Sequence, residues 1–292
     1  MKRFLVKLLF FMLIPVVYFA VMMTTNYFIY NSQQNLVKNK HILIIGDSHP
    51  QRSLNPEYMS GAQNISQPAE PYFITFWKLK KITQSYTPDT LIIGFAPHNI
   101  SEFNDFKLSD GFWSAHQFKM CYSIEEFKNL PKNIFIDYKT FYKVLWKQTA
   151  FYPKRNHANY IGGYTNNTKS NVKDWEIASN RHFYYNGNNL GVSEVAVNYL
   201  DSIVSLAKSK KIKTVMVNNP VHEKYLEKIP PKIMKRYDQL KEKYKTSVIM
   251  FDKTTDKYPD SLLLNADHLN EYGAKRFTNE LNDYINSIKN NL

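Results

Sequence analysis

Residues suited to chemistry gather in a few short stretches. An apolar run at 41–45 stops at Gly46 and is followed at once by Asp47, Ser48 and His49. A second apolar run, 90–95, leads into Ala96-Pro97-His98-Asn99, and a third, 212–217, into Asn218-Asn219-Pro220. Near the end lies Asn265-Ala266-Asp267-His268-Leu269-Asn270. A serine hydroxyl is a poor nucleophile until a base takes its proton. Imidazole is the side chain whose ordinary titration falls near neutral pH. One serine and one histidine, brought together, could therefore attack an acyl carbonyl. The histidines show no HxxxH spacing and there is no CxxC, so no metal and no cofactor is expected. His49, His98 and His222 read as lining or surface residues.

The elements needed to position these loops are legible. Strands are expected at 41–45, 62–66, 90–95, 212–217 and 247–251, because each is short, apolar and bounded by turn residues. Helices are expected at 70–86, 193–210, 223–244 (broken near Pro230 and Pro231) and 271–288. Strands alternating with helices imply a parallel sheet covered on both faces, a three-layer α/β/α sandwich of the flavodoxin-like kind. Loops at the carboxyl ends of such strands meet at one edge, where ligands bind. Between 101 and 190 the alternation lapses and aromatic residues crowd in. This segment is expected to be an insertion lying over the main sheet.

The chain has 292 residues, 43% hydrophobic and 15% aromatic, enough for one core plus an insertion. Cys121 is the single cysteine, so no intrachain disulfide can form. A net charge of +13 favours anionic surroundings such as phospholipid headgroups or acidic glycans, and nucleic acid is disfavoured by the N-terminus. There, Lys2, Arg3 and Lys7 precede an uncharged stretch from 8 to 37 whose apolar part is long enough to cross a bilayer. The positive flank predicts a cytoplasmic N-terminus and an exported remainder. A cleaved signal peptide is the competing reading. The expected organisation is an anchor at 1–30, a tether at 31–40 and a catalytic domain at 41–292, with the insertion as its cap.

GDSH after the first strand resembles the first block of the SGNH/GDSL hydrolase superfamily. NADHLNEYGAKRF at 265–277 resembles its last block, and LIIGFAPHN its third. The resemblance covers roughly 41–100 and 190–290. It implies Ser48 as nucleophile and His268 as base, with Gly46 permitting the sharp turn between strand and serine. It implies an oxyanion hole from the Ser48 N–H and the Asn99 amide, with His98 nearby. Two departures stand out. The family's aspartate three residues before the histidine is Asn265 here, while Asp267 adjoins His268; either could orient the imidazole. The second block's glycine is missing, which leaves the N–H of Ser66 or Ala69 as a substitute.

The resemblance implies ester chemistry through an acyl-serine. For an anchored, exported, aromatic-rich chain, the expected substrate is an O-acyl group, acetyl above all, on an envelope or extracellular polysaccharide. Deacetylation and acetyl transfer both fit, and a membrane acyltransferase is a candidate partner. The alternatives are a glycan-binding or assembly subunit that has lost catalysis, and a lipid esterase at the membrane surface.

Overall fold

The computed structural model describes residues 1–33, 40–109, 111–121, 126–151 and 162–290. Strands run in chain order as β1 (Ile42–Ile45), β2 (Ala62–Asn64), β3 (Thr90–Gly94), the two-residue hairpin strands β4 (Tyr184–Tyr185) and β5 (Asn188–Asn189), β6 (Lys213–Asn218) and β7 (Ile249–Asp252). Five of them form one parallel sheet in the order β2-β1-β3-β6-β7. Ile42 pairs with Ala62 on one side and Thr90 on the other, so the first two loops of the expected site leave the sheet level with each other.

The central strands are apolar throughout because both faces are covered. Alternate residues point to opposite layers. Leu43, Ile45, Leu91, Ile93 and Met216 pack with Tyr72 and Leu79 of α3 (Tyr72–Ile82), Leu200 and Ile203 of α7 (Glu194–Ser209), and Tyr237 and Leu240 of α9 (Pro231–Tyr244). Ile44, Ile92, Val215 and Val217 pack with Leu54, just past α2 (Ser48–Ser53), and with Phe277, Leu281 and Ile285 of α10 (Glu271–Asn290). The three-layer α/β/α sandwich expected from the sequence is the fold observed. The expected break near Pro230 is also present: α8 (Glu223–Leu226) ends before it, and α9 starts with Pro231 at the first helical position, where a missing N–H costs nothing.

The insertion differs from expectation. Among its described residues lie the α-helices α4 (Gly111–Cys121), α5 (Tyr138–Thr149) and α6 (Trp175–Phe183). α4 and α5 do not lie on the sheet. Phe118, Phe141 and Val144 pack against Phe73, Ile74 and Trp77 of α3 and Val195 of α7, on the outside of that helical layer. The reason is α3 itself. Tyr72 and Leu79 face the sheet, while Phe73, Ile74 and Trp77 leave a second apolar face that needs its own cover. From residue 162 the chain returns across the site loops. Asn166 Nδ2 donates to the carbonyls of Arg52 (2.6 Å) and Leu269 (3.1 Å), and the Asn171 N–H to Leu264 (2.8 Å). These bonds lace the first and last functional loops together.

The N-terminal helix α1 (Lys2–Gln33) includes a stretch, Lys2–Asn26, long and apolar enough to cross a membrane. It runs past the expected end of the anchor at 30. The rest of the expected tether, 34–39, lies outside the described residues. Asn26 caps the end of α5, donating to the carbonyls of Thr149 (2.8 Å) and Phe151 (2.9 Å), and Phe19 meets Trp146 with ring centres 4.8 Å apart.

Gly46 is demanded by the turn that exposes Ser48. Its φ is +135°, and a Cβ there would lie 2.8 Å from Pro50 Cγ and 3.2 Å from the Gly94 nitrogen. Gly46→Ala should cost about 2–4 kcal/mol. Thermal unfolding of the detergent-solubilised chain reads this directly, and an unchanged midpoint would refute the close approach.

Candidate active site

Asp47 is the N-cap of α2, its Oδ1 accepting the His49 N–H at 2.9 Å. Ser48 is the first helical residue, so its side chain leaves the sheet edge at the carboxyl end of β1. From the other end of the chain, His268 sits just before α10. Its backbone N–H donates to Asn265 Oδ1 at 2.9 Å, closing a tight turn. The two ends meet: the Ser48 hydroxyl and His268 Nε2 are 2.7 Å apart across 220 residues of sequence. Nδ1 of the same ring faces Asn265 Oδ1 at 2.9 Å and Asp267 Oδ1 at 3.1 Å. With Nδ1 protonated, Nε2 carries the lone pair that the Ser48 O–H needs.

Both acids of the site are buried. Asp267 is fully enclosed, with Arg181 Nη2 at 3.4 Å and His49 Nε2 and His182 Nδ1 at 3.9 Å. Burial alone would raise its pKa, but the His268 ring beside it holds the carboxyl well below the ordinary range. Asp47 behaves alike. Burial opposes its charge, while His98 Nε2 at 2.6 Å and the His49 N–H keep it ionised far below its usual pKa.

Four imidazole rings lie in a continuous row. His182 lies on His98 (4.8 Å between centres), His98 on His49 (4.1 Å), and His49 edge-on to His268 (5.1 Å). Burial pushes His98 down to about 4, helped by its neighbour His49 and opposed by Asp47. Burial, with His98 and Arg181, drives His182 well below its ordinary value. His268 is also lowered, mainly by burial, against the pull of Asp267. At neutral pH His268 is therefore a free base. His182 Nδ1 donates to the Tyr225 hydroxyl (2.8 Å), and its Nε2 accepts from Arg181 Nε (3.3 Å).

Ser48 and His268 open on a cavity of about 250 Å³, lined also by Arg52, Pro68, Ala69, His98 and residues of the insertion. The structure brings together Ser48, His268, Asn265 and Asp267, with Gly46 beneath and His98 in the wall. Three expected placements change. Asn99 does not line the cavity: its amide donates to Asp47 Oδ2 at 2.8 Å, because a buried carboxylate beside it needs a donor. Ser66 is fully buried, and its N–H is spent on Asn64 Oδ1 at 2.9 Å. Ala69 instead reaches the cavity, at φ +56°, a left-handed conformation usually left to glycine. The Asn218-Asn219-Pro220 loop stays out of the cavity lining; Asn218 Nδ2 bonds Tyr237 and Thr254.

Sequence reasoning missed the contributions of Arg52, Phe103, Asn104, Lys107, Trp113, Arg181 and His182. Arg52 was within reach, since it follows Ser48 by four residues and so shares its helix face. Arg181 and His182 arrive on α6, from a segment whose course no local pattern announces.

No protein-family model matches the sequence, nor does any curated protein sequence. Among solved structures, the chain is similar to a Bacteroides thetaiotaomicron protein described as a GDSL-like lipase, at 10% identity and TM-score 0.44, over 90% of this chain and 98% of that one. It is also similar to a Bacteroides fragilis protein described as an acylhydrolase, at 11% identity and TM-score 0.42, over 86% and 88%. The sheet order, the serine after β1 and the histidine before the last helix are features of this structure that stand independently of these likenesses. The fold is a three-layer α/β/α sandwich, and the serine and histidine blocks noted in the sequence meet at its edge. The turn facing the serine carries Ala69, and Asn265 and Asp267 both stand behind the imidazole.

Proposed function

We propose that the protein is a serine esterase or O-acyltransferase working through an acyl-enzyme on Ser48. The observation that carries this is the chain of contacts Ser48–His268–Asn265/Asp267 at the mouth of a cavity. The Ser48 oxygen adds to the ester carbonyl as its proton passes to His268 Nε2. The N–H groups of Ser48 and Ala69 make no backbone hydrogen bond among the described residues, and they serve as donors to the oxyanion. Collapse breaks the ester C–O bond, and the leaving alcohol takes the proton back from His268. Water, or a sugar hydroxyl in the transferase version, then gives its proton to His268 and attacks the acyl-serine, restoring the enzyme.

The acyl group is acetyl and its carrier an envelope or extracellular polysaccharide. In the transferase version a membrane acyltransferase is the partner that delivers the acetyl group. α1 is an uncleaved anchor with its N-terminus in the cytoplasm, a reading supported by Lys2, Arg3 and Lys7 and by the docking of Asn26 and Phe19 onto the α5 end. Exposed Tyr138, Tyr142 and Trp146 form a stripe on α5 beside that helix, suited to a bilayer surface.

The test is labelling of the full chain in detergent by a fluorophosphonate. One label per chain, mapped to Ser48 and blocked in His268→Ala, is expected. An unlabelled Ser48 in a folded chain that binds oligosaccharide would instead favour the glycan-binding subunit.

A further inference from the structure

Ala69 keeps a left-handed backbone, φ +56°, in the cavity wall, where no glycine relieves the strain. A residue so placed holds its conformation only where the surroundings fix the peptides on each side of it. The ends of the turn 65–70 are well fastened. The Ile65 carbonyl accepts from Lys78 Nζ (2.7 Å) and the Ser66 carbonyl from the Gly163 N–H (3.1 Å), while the Gln67 N–H donates to the Gly46 carbonyl (3.0 Å). Glu70 is tied to α3 by Thr75 (2.7 Å) and Lys78 (2.6 Å). These bonds leave the centre of the turn, Pro68 and Ala69, to be held by something else.

Two successive residues of α4 hold it. The Pro68 carbonyl has His116 Nε2 at 3.3 Å, and the Ala69 carbonyl accepts from Gln117 Nε2 at 3.0 Å. They reach the turn because α4 packs on α3, and α3 begins directly after residue 70. A carbonyl only accepts, so His116 carries a proton on Nε2 in this contact. Burial lowers the His116 pKa below its ordinary value, against the pull of the Pro68 carbonyl, so at neutral pH the ring is uncharged. The Pro68 C=O and the Ala69 N–H lie on opposite sides of one planar trans peptide. A hydrogen bond that fixes the carbonyl therefore fixes the direction of the N–H and polarises it as a donor. Gln117 fixes the next peptide, so the planes on both sides of Ala69 are set. Gln117 is fully buried, and its Oε1 has no partner among the described residues. An apolar side chain of that length would pack without this orphaned acceptor. What the amide adds is the donor to Ala69.

We propose that α4 of the insertion braces the oxyanion hole, with His116 and Gln117 as positioning residues that aim the Ala69 N–H at the acyl oxygen. The inference rests on the esterase reading of Ser48 and deepens it. A glycine could adopt this turn by itself; here an alanine adopts it under external hold. The insertion is thus part of the machinery that stabilises the developing charge, through a contact made on the far side of the peptide from that charge.

The experiment uses the full chain in detergent, with hydrolysis of a chromogenic acetyl ester and a thermal melt for each variant. His116→Phe keeps a ring but no donor, and kcat should fall about tenfold with KM within about twofold, since an oxyanion donor acts on the transition state. His116→Gln returns a donor near the Nε2 position and should recover most of that loss. Gln117→Met, of similar shape without a donor, should lower kcat in the same way. A second readout is spectroscopic. Pro68–Ala69 is the one Pro–Ala bond in the sequence. Carbon-13 in proline carbonyls and nitrogen-15 in alanine therefore isolate the Ala69 amide signal. That signal should move downfield when a fluorophosphonate occupies Ser48, and upfield in resting His116→Phe. Ser48-dependent turnover that His116→Phe leaves within twofold overturns the inference and leaves the esterase reading standing. A loss of kcat with an unmoved Ala69 signal also overturns it, because the loss then has another cause. An unaltered chain with neither Ser48-dependent turnover nor a label on Ser48 brings down the esterase reading and this inference together.

Discussion

On the proposed mechanism, Ser48→Ala should lower kcat for acetyl-ester hydrolysis by on the order of 10⁵–10⁶, with residual turnover that no longer depends on His268. The size follows from the geometry. His268 Nε2 has one evident task in the cavity, the Ser48 proton 2.7 Å away, and without that oxygen it has no nucleophile to activate. For the same reason His268→Ala costs a similar factor, and the double variant is hardly worse than either single one. The fold should tolerate the change. Ser48 loses one partly buried hydrogen bond, about 1 kcal/mol, and the Asp47 cap on the His49 N–H stays in place. Steady-state hydrolysis of a chromogenic acetyl ester, with a thermal melt as control, measures both. Full activity in Ser48→Ala would mean that the chemistry lies elsewhere.

Much of this arrangement was readable because it depends on local pattern. The run at 42–45 ending in Gly46, and the turn of 265–268 before an amphipathic helix, are each set by neighbours in sequence. Sheet topology then brings them together. What stayed hidden depends on competition between distant groups. Asn99 looked like a free amide on a loop, but Asp47, 52 residues away, takes it. Ser66 looked like a donor, but Asn64 had already claimed its N–H. Ala69 could not be told from an ordinary loop residue, because a positive φ at a non-glycine leaves no mark in the sequence. The insertion followed the same logic at larger scale. Phe73, Ile74 and Trp77 announce that α3 has a second apolar face, yet nothing local says which later segment will cover it. Arg181 and His182 reach the site on α6, whose Ala178 and Phe183 pack into the core with Tyr225 of α8.

Asp267→Asn should lower the plateau of kcat by roughly 10³–10⁴ and move the acid limb of the pH profile to lower pH. Two groups stand behind the imidazole and do different work. Asn265 Oδ1 at 2.9 Å fixes the tautomer and the ring plane but brings no charge. Asp267 at 3.1 Å is a buried anion, and in the proposed mechanism it would stabilise the imidazolium formed when Ser48 gives up its proton. The sign of the shift follows from the balance at His268. Burial lowers its pKa below the ordinary 6.5 and Asp267 raises it, so burial prevails but is opposed. The proposed reaction needs the neutral ring, so activity should rise with pH through this lowered pKa and be level at neutrality. Without the Asp267 charge, burial acts unopposed and the limb falls further. Asn265→Asp does the reverse, placing a second anion at Nδ1 and raising the limb. Loss of fold is a real outcome for Asp267→Asn, since Arg181, His49 and His182 also surround that carboxylate. Asn265→Asp keeps Asp267 in place and supplies an independent reading. Profiles of kcat/KM from pH 4 to 8 for both variants decide the matter. If Asp267→Asn keeps its plateau and Asn265→Asp leaves the limb where it was, Asn265 alone orients the histidine and the buried acid is there for the fold.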